Sequence, residues 1–395
     1  MSQSRLVVLA LALALMGSSA LIGSAPAQAL ELRTAPETHV YVNVANRQTG
    51  QFDAMIQAIG IYNDGDEAIG IESVEIDVIA QGLPILTRRI QPSSFETHTG
   101  ILARMSGSGR GSMVAATLGN AGGPNGFFGD EVELIPGVHL TGGGATIAAR
   151  QFLTFDAMPD AIRISARAVH ASGEVELVTR ELEIVFPDRE RAYPLPLEGG
   201  WFMTAVPLVT SHHRYVEGTE FAIDFFKSDG EGRIFESDRT DQTDYFGYGE
   251  PVKAIAGGRV VRVINGSADD AAFRVHREGE STEAYDERMT ERFGNDPELN
   301  LIASITGNLV VVEQDDGFFA SYGHLAPSSV SVSEGERVET GQVIAAVGGT
   351  GEGNMTTHLH IQLNEGPMPL FDQSVPMHFV EDRGQVDTGR IVRSD

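Results

Sequence analysis

The chain has 395 residues, and at 42% hydrophobic it is long enough to form two domains with separate cores. Its formal net charge of -27, with 28 Lys and Arg, argues against a nucleic-acid partner or binding to an anionic membrane, because either would need a clustered basic face. The sequence has no cysteine, which excludes disulfide bonds, thiolate nucleophiles and cysteine metal ligands.

The first 29 residues have the pattern of a secretory signal peptide. Arg5 precedes an apolar core from Leu6 to Met16, and small residues from Ala25 to Ala29 form a cleavage pattern. The core is shorter than the ~20 residues that span a bilayer, which argues against a membrane anchor. We therefore predict an exported protein, periplasmic or extracellular, with no stable membrane span after cleavage and a mature chain that starts near Leu30.

Residues 30–186 alternate between apolar and polar side chains in short runs such as "ESVEIDVIA" and "IRISARAV". This period of two, with turn signals between the runs, predicts an all-β fold whose N-terminal domain is an Ig-like antiparallel β-sandwich. The Gly-rich segment Ser106 to Gly126 is predicted to be a long loop. No cluster of titratable groups is apparent in this half, and its isolated histidines are interpreted as ordinary surface or core residues: His39, His98, His139 and His170.

The pattern breaks at "PDRERAYPLPLEGG", residues 187–200, which is predicted to be a linker because of its prolines, charges and closing Gly pair. The second domain, residues 201–395, is again rich in strand patterns. Between two of them lies the polar stretch Gly266 to Gly307, for which we predict one short exposed helix within "STEAYDERMTERF" and no chemistry.

A pair of histidines stands in the strand pattern "THLHIQL". Residues i and i+2 of a strand point to the same face, so His358 and His360 are expected to project together. One imidazole could bind a metal while the other reaches a substrate. Taken alone, the pair is equally compatible with two solvated histidines on an exposed face.

Three further motifs favour a metal site. "SYGHL" presents His324 after a strand and a Gly, "FAIDF" places Asp224 in an apolar strand, and "SHHR" supplies His212 and His213. An acid among apolar residues usually has a cation or metal as its partner. A His, Asp, His set leaves the fourth position of a tetrahedral zinc open, which is typical of catalytic rather than structural zinc.

The order of these motifs, together with "GQVIAAVGGTG" before the histidine pair, resembles the lysostaphin/LytM-type zinc endopeptidases. These are cell-wall peptidoglycan hydrolases with the duplicated hybrid motif, built on a compact antiparallel β-sheet. The resemblance covers roughly Ser211 to Phe379. Members with "AIDF", rather than the commoner "HxGxD", are the most similar, so the chain is expected to belong to an AIDF-type subgroup.

The resemblance implies one Zn²⁺ held by Asp224 and His360. His324 and His358 would be the two catalytic, non-ligand histidines that orient a water molecule and stabilise the tetrahedral oxyanion. The first ligand would be His212 or His213, since neighbouring residues of an extended chain point in opposite directions; we favour His212. Glu220, four residues before Asp224 and expected on the same strand face, is a weaker candidate.

The resemblance also implies the function: an exported zinc-dependent metalloendopeptidase that hydrolyses peptide cross-links of peptidoglycan with a zinc-activated water. The alternative is a catalytically degenerate relative that regulates another cell-wall hydrolase. A lipoyl-type carrier module is excluded because no lysine follows Lys253. The acidic segment Phe226 to Pro251 is either a wall or lid of the substrate groove or a solvated loop.

Overall fold

The computed structural model describes residues 29–46, 50–106, 127–128, 132–186, 191–204, 211–236, 241–267, 277, 279–293, 296–351, 356–381 and 391–394. The predicted signal peptide up to residue 28 and the Gly-rich loop from residue 107 to 126 lie outside these ranges. Within them, no helix combines the length and the apolar character that crossing a membrane would require.

The N-terminal domain is a sandwich of two sheets. Its elements, in chain order, are β1 (Leu30–Ala35), β2 (His39–Tyr41), β3 (Asn43–Asn46), β4 (Gln51–Asn63), β5 (Ile69–Ala80), β6 (Leu83–Arg89), α1 (Pro92–Ser106), β7 (Glu133–Leu134), β8 (His139–Leu140), β9 (Gly144–Phe155), β10 (Ala161–His170) and β11 (Val175–Val185). One sheet has the order β1-β4-β9-β7 with β3 beside β4, and the other the order β2-β11-β10-β5-β6 with β8 beside β5.

Alternating burial explains why these segments form a sandwich. Along β10 the apolar residues Ile162, Ile164, Ala166 and Ala168 are all fully buried, and they share one core with residues of the other sheet. The all-β fold is therefore confirmed, whereas the Ig-like type of sandwich stays a prediction. The two sheets are not purely antiparallel, because β2 pairs with β11 and β7 with β9 in parallel. Helix α1 was not predicted; it covers β9, where the Thr99 hydroxyl lies 2.9 Å from that of Thr146.

The C-terminal domain is built on a nine-stranded sheet. Its strands are β12 (Gly199–Thr204), β13 (Ile223–Lys227), β14 (Pro251–Lys253), β15 (Gly258–Ile264), β16 (Asn308–Gln314), β17 (Phe319–Leu325), β18 (Arg337–Val338), β19 (Val343–Ala346), β20 (Leu359–Asn364), β21 (Ser374–Val375) and β22 (Ile391–Ser394). The main sheet has the order β18-β15-β16-β17-β20-β13-β12-β22, with β21 beside β20, while β14 and β19 pair separately. Every described pairing between these strands is antiparallel, as predicted. Outside the strands, Tyr193 forms an isolated parallel bridge with Phe379.

The described residues of the polar stretch between β15 and β16 form two helices, not the single one predicted. These are α2 (Thr282–Phe293) and α3 (Pro297–Thr306). Asp296 caps α3 by accepting hydrogen bonds from two backbone N–H groups, with Pro297 at the first turn. Ile302 is fully buried in a small apolar cluster with Leu309 and Phe371, so α3 is a packed part of the domain rather than an exposed excursion.

The described part of the predicted linker packs on the second domain. Tyr193, Leu195 and Leu197 are buried in the main core of the C-terminal domain, and Gly199 already begins β12. Tyr41 of the sandwich joins the same core. Residues 191–200 therefore do not form a free tether, and the two domains share a packed boundary.

Candidate metal centre and active site

Three neighbouring strands, β13, β20 and β17, bring the predicted site residues together. In the pairing of β13 with β20, Asp224 stands opposite His360. In the pairing of β20 with β17, His360 stands opposite Gly323, so that His324 follows directly. Cross-strand neighbours have Cβ atoms about 5 Å apart, which is why residues 100 or more positions apart in sequence can form one site here.

The strand that carries the histidine pair is buried on both faces. Leu359, Ile361 and Leu363 belong to the apolar core, whereas His360 and its neighbours on the opposite face form a buried polar layer. The alternative of two solvated histidines on an exposed face is therefore wrong, since the exposed fractions of His358 and His360 are both 6%.

The buried carboxylate of Asp224 is at the centre of the imidazoles. Its Oδ1 lies 3.0 Å from His360 Nδ1 and 3.7 Å from His358 Nε2, and its Oδ2 lies 3.6 Å from His213 Nε2. Burial alone would raise the pKa of Asp224, but His213, His358 and His360 outweigh it and lower that pKa below its ordinary value. The carboxyl group is therefore ionised.

The orientation of His360 is fixed by Gln362. The side-chain amide nitrogen of Gln362 donates to the carbonyl oxygens of Gly218 and Pro369, both at 2.6 Å, which leaves its Oε1 as an acceptor 2.7 Å from His360 Nε2. His360 Nε2 must then donate, and in a neutral ring Nδ1 carries the lone pair. That lone pair faces the Asp224 carboxylate, an arrangement that requires either a proton or a cation between the two.

The two candidates for the first ligand lie in a short 3-10 turn, η1 (His212–Tyr215), and not in an extended chain. The expectation that neighbouring side chains diverge does not apply to such a turn, where the two rings lie 4.2 Å apart. Ligand atoms of His212, His213 and Asp224 all lie within 4.8 Å of one another. His213 is buried and contacts Asp224 and the His360 ring, whereas His212 is exposed.

Glu220 does not lie on the strand face of Asp224, contrary to expectation. It follows a second 3-10 turn, η2 (Glu217–Thr219), and has helical backbone angles, so strand periodicity does not relate it to Asp224. Its carboxylate contacts Arg214 at 3.3 Å and Gln57 at 3.4 Å. The weaker ligand candidate is thus part of a separate buried ion pair.

The two predicted catalytic histidines have the same tautomer imposed by backbone carbonyls. His324 Nδ1 donates to the Thr350 oxygen at 2.6 Å, and His358 Nδ1 donates to the Thr356 oxygen at 3.1 Å. Nε2 of each ring then carries the lone pair, and the two ring centroids are 4.6 Å apart. Burial lowers the pKa of both rings, and for His324 the neighbouring imidazoles His358 and His360 lower it further, which keeps these rings neutral and able to accept a proton.

The described parts of the acidic segment from Phe226 to Pro251 contact the site. The ring of Phe226 stacks on His358 at 4.8 Å, and the Thr357 hydroxyl donates to the side-chain oxygen of Gln242 at 2.9 Å. Gln242 begins a third 3-10 turn, η3 (Gln242–Asp244). This segment therefore supports the strand that carries the histidine pair, which a freely solvated loop would not do.

The donor set matches what zinc requires. Ligand atoms about 2.0–2.1 Å from a tetrahedral zinc lie roughly 3.3 Å from each other. The separation of 3.0 Å between Asp224 Oδ1 and His360 Nδ1 and that of 3.6 Å between Asp224 Oδ2 and His213 Nε2, each measured from its own carboxylate oxygen, lie on either side of that value. One carboxylate and two imidazoles, with an amide oxygen orienting His360 from behind, fit a zinc ion with an open position.

A family model described as peptidase family M23 matches residues 299–371. That segment belongs to peptidase family M23. It runs from α3 to the end of the apolar cluster around Phe371 and includes three of the predicted site residues, His324, His358 and His360. The resemblance to lysostaphin/LytM-type peptidases is thereby confirmed, and the AIDF-type subgroup stays a prediction. The other predicted site residues, His212, His213 and Asp224, precede the M23 segment.

Solved structures similar to this chain include M23 peptidases. The catalytic domain of lysostaphin from Staphylococcus simulans is 20% identical, with 47% of this chain and 85% of that chain covered and a TM-score of 0.22. A mutant catalytic domain of the prophage-encoded M23 protein EnpA from Enterococcus faecalis is 17% identical, with 47% and 94% covered and a TM-score of 0.27. The M23 metalloprotease pseudoalterin, from the deep sea, is 14% identical, with 47% and 75% covered and a TM-score of 0.26.

Two residues of the site, Gln362 and Arg214, were not predicted from the sequence. Gln362 orients His360. It lies two residues after His360 in the strand pattern "THLHIQL", so strand periodicity places both side chains on the same face, and that spacing could have identified it. Arg214 follows the candidate ligands directly and is fully buried. Nothing in the M23 motifs indicates its role, because two of its partners, Asp53 and Phe152, lie in the other domain.

Proposed function

We propose that this protein is an exported zinc-dependent metalloendopeptidase that hydrolyses peptide cross-links of peptidoglycan. The observation that carries the proposal is the buried Asp224 carboxylate, with His360 Nδ1 and His213 Nε2 at 3.0 and 3.6 Å. We assign Asp224, His360 and His213 as the zinc ligands. His213 replaces His212 as the favoured first ligand because it is buried and in contact with Asp224.

A bound zinc would supply Lewis acidity, lowering the pKa of a coordinated water and polarising the scissile carbonyl. His358 then takes a proton from the water at Nε2, and the charge of Asp224, 3.7 Å away, stabilises the resulting imidazolium. The same nitrogen passes the proton to the leaving amine. His324, fixed by Thr350, stands beside His358 and orients the water by accepting its hydrogen bond at the neutral Nε2, while the imidazolium of His358 stabilises the oxyanion until it gives up its proton.

The compartment and the substrate rest on the sequence. The signal-peptide pattern at the N-terminus would deliver the chain to the cell wall, and cell-wall cross-links are what the family resemblance implies. Membership of its C-terminal segment in the M23 family supports peptide-bond hydrolysis.

The test combines metal analysis with a matched pair of histidine variants. The purified mature chain is expected to hold about one zinc per molecule and to release new amino and carboxyl ends, identified by mass spectrometry, from cross-linked muropeptides. His360→Ala should lose both properties. His139→Ala, which changes an exposed histidine of the sandwich, should keep both. If the parent holds no zinc and His360→Ala acts on muropeptides as the parent does, the peptidase proposal is wrong and the degenerate regulator is favoured.

A further inference from the structure

The turn that carries His213 lies against the N-terminal sandwich. The next residue, Arg214, is fully buried, and its guanidinium donates to Asp53 Oδ1 of β4 at 2.6 Å. The guanidinium also stands over the ring of Phe152 of β9, 5.6 Å from its centroid. On the side of its own domain it contacts Glu220 at 3.3 Å. Arg214 thus links η1 to both domains at once.

The backbone around His213 is held on three sides. Its N–H donates to the Ser211 hydroxyl at 3.3 Å, and its carbonyl accepts from the Thr219 hydroxyl at 3.0 Å. The carbonyl of Arg214 accepts from the side-chain amide of Gln57, again on β4 of the sandwich, at 2.9 Å. The first two bonds are local to the second domain, but the third spans 157 positions of the sequence.

Burial makes the link between Arg214 and Asp53 a strong constraint. The exposed fractions of the two residues are 0% and 2%, so water cannot replace a lost partner without local opening. A buried charge whose partner is removed is strongly destabilising, and its side chain tends to reorganise. Because Arg214 neighbours the candidate ligand in the same four-residue turn, reorganisation of its side chain would move His213.

We propose that Asp53 and Gln57 of the sandwich are positioning residues for the metal ligand His213, acting through the side chain and the carbonyl of Arg214. The N-terminal domain is then part of the metal centre's support, and full zinc affinity requires the docked sandwich. This inference rests on the proposed function, because it takes His213 as a zinc ligand. Partners behind metal-ligating residues typically change metal affinity about 10- to 100-fold when they are mutated.

The test measures zinc affinity on the full mature chain by competition with a chromophoric chelator, so that it does not depend on activity. Asp53→Asn keeps the shape of the side chain and removes its charge, and we expect zinc binding about tenfold weaker than in the parent. The matched control is His39→Gln. His39 also joins the sandwich to the second domain, at 2.8 Å from Glu365, and its described contacts are with Thr38, Tyr41, Glu365 and Gln373 rather than with η1. Its affinity for zinc should equal that of the parent.

A second variant keeps the test decisive if Asp53→Asn does not fold, as judged by circular dichroism. Gln57→Met removes the bond to the Arg214 carbonyl, and with it the longer contact to Glu220, without a change of charge. We expect zinc binding a few-fold weaker, the size of a lost neutral hydrogen bond. Parent-like affinity in both folded variants, or an equal loss in His39→Gln, would overturn the positioning role while leaving the proposed function intact. A parent without zinc would instead refute the proposed function itself.

Discussion

Gly351 gives a direct test of how the imidazole of His324, which we propose to be catalytic, is held. This glycine has a φ of +124°, and a Cβ placed on it would lie 2.6 Å from His324 Nδ1 and 2.5 Å from the carbonyl oxygen of Ile305. Ordinary contacts begin at 3.4 Å, so in Gly351→Ala the imidazole would have to move by about 0.8 Å. A shift of about 1 Å in a catalytic group can cost about 100-fold in rate.

We therefore expect Gly351→Ala to lower kcat for a cross-linked muropeptide roughly 10- to 100-fold. Zinc content should be unchanged, because His324 is not among the assigned ligands. Gly317→Ala is the matched control: Gly317 has a φ of +89° in the turn before β17, and its added Cβ would have no atom within 4 Å. It should lose about 1–2 kcal/mol of unfolding free energy in urea and keep its activity. Equal kcat values for Gly351→Ala and Gly317→Ala would refute the inference that a Cβ at position 351 displaces the His324 imidazole.

Two further predictions concern the first ligand and the buried ion pair. His213→Ala should lose most of its zinc and His212→Ala should retain it, as measured by metal analysis after dialysis; equal loss from both would contradict the assignment of His213. Burial raises the pKa of Glu220 to about 7 against the opposing charge of Arg214, so the folded state binds its proton more tightly than the unfolded state does. Proton binding by Glu220 therefore stabilises the folded state fully below about pH 4.5, and this stabilisation is lost as the pH rises to about 7. The free energy of unfolding falls by about 3 kcal/mol over that range. Urea unfolding of the parent should show this loss relative to Glu220→Gln, and parallel pH profiles would contradict it.

The core of the site could be predicted because its residues break a strong local pattern. Asp224 interrupts an apolar strand and is therefore recognisable in the sequence. His358 and His360 share a strand face by period two, so sequence spacing alone brings these two histidines to one surface. Strand pairing then places Asp224 opposite His360. A family motif then indicates which of these residues face each other. The order of motifs carries this information because the sheet is antiparallel and its strands are short.

The turn that holds His213 could not be predicted in the same way. Arg214, the next residue of this turn, has its partner Asp53 161 positions earlier, in a sheet of the other domain. Asp53 itself sits in a run that looks like an ordinary sandwich strand, and the sequence gives no sign that it is buried against a cation from another domain. The helix α3 was different: Asp296 followed by Pro297 is a readable start signal, but the polar stretch around it obscured the apolar residues that pack.

The pairing of Asp224 with His360 couples the metal centre to the alignment of two strands. A slip of β13 by one residue would turn Asp224 to the opposite face and bring Ile223 or Phe225 opposite His360, with an apolar side chain in place of the carboxylate. Such a misaligned sheet could still bury its apolar residues, but it could not assemble the donors. A tightly bound ion would therefore favour the correct strand register over misaligned ones, since it stabilises the single alignment in which all of its ligands meet.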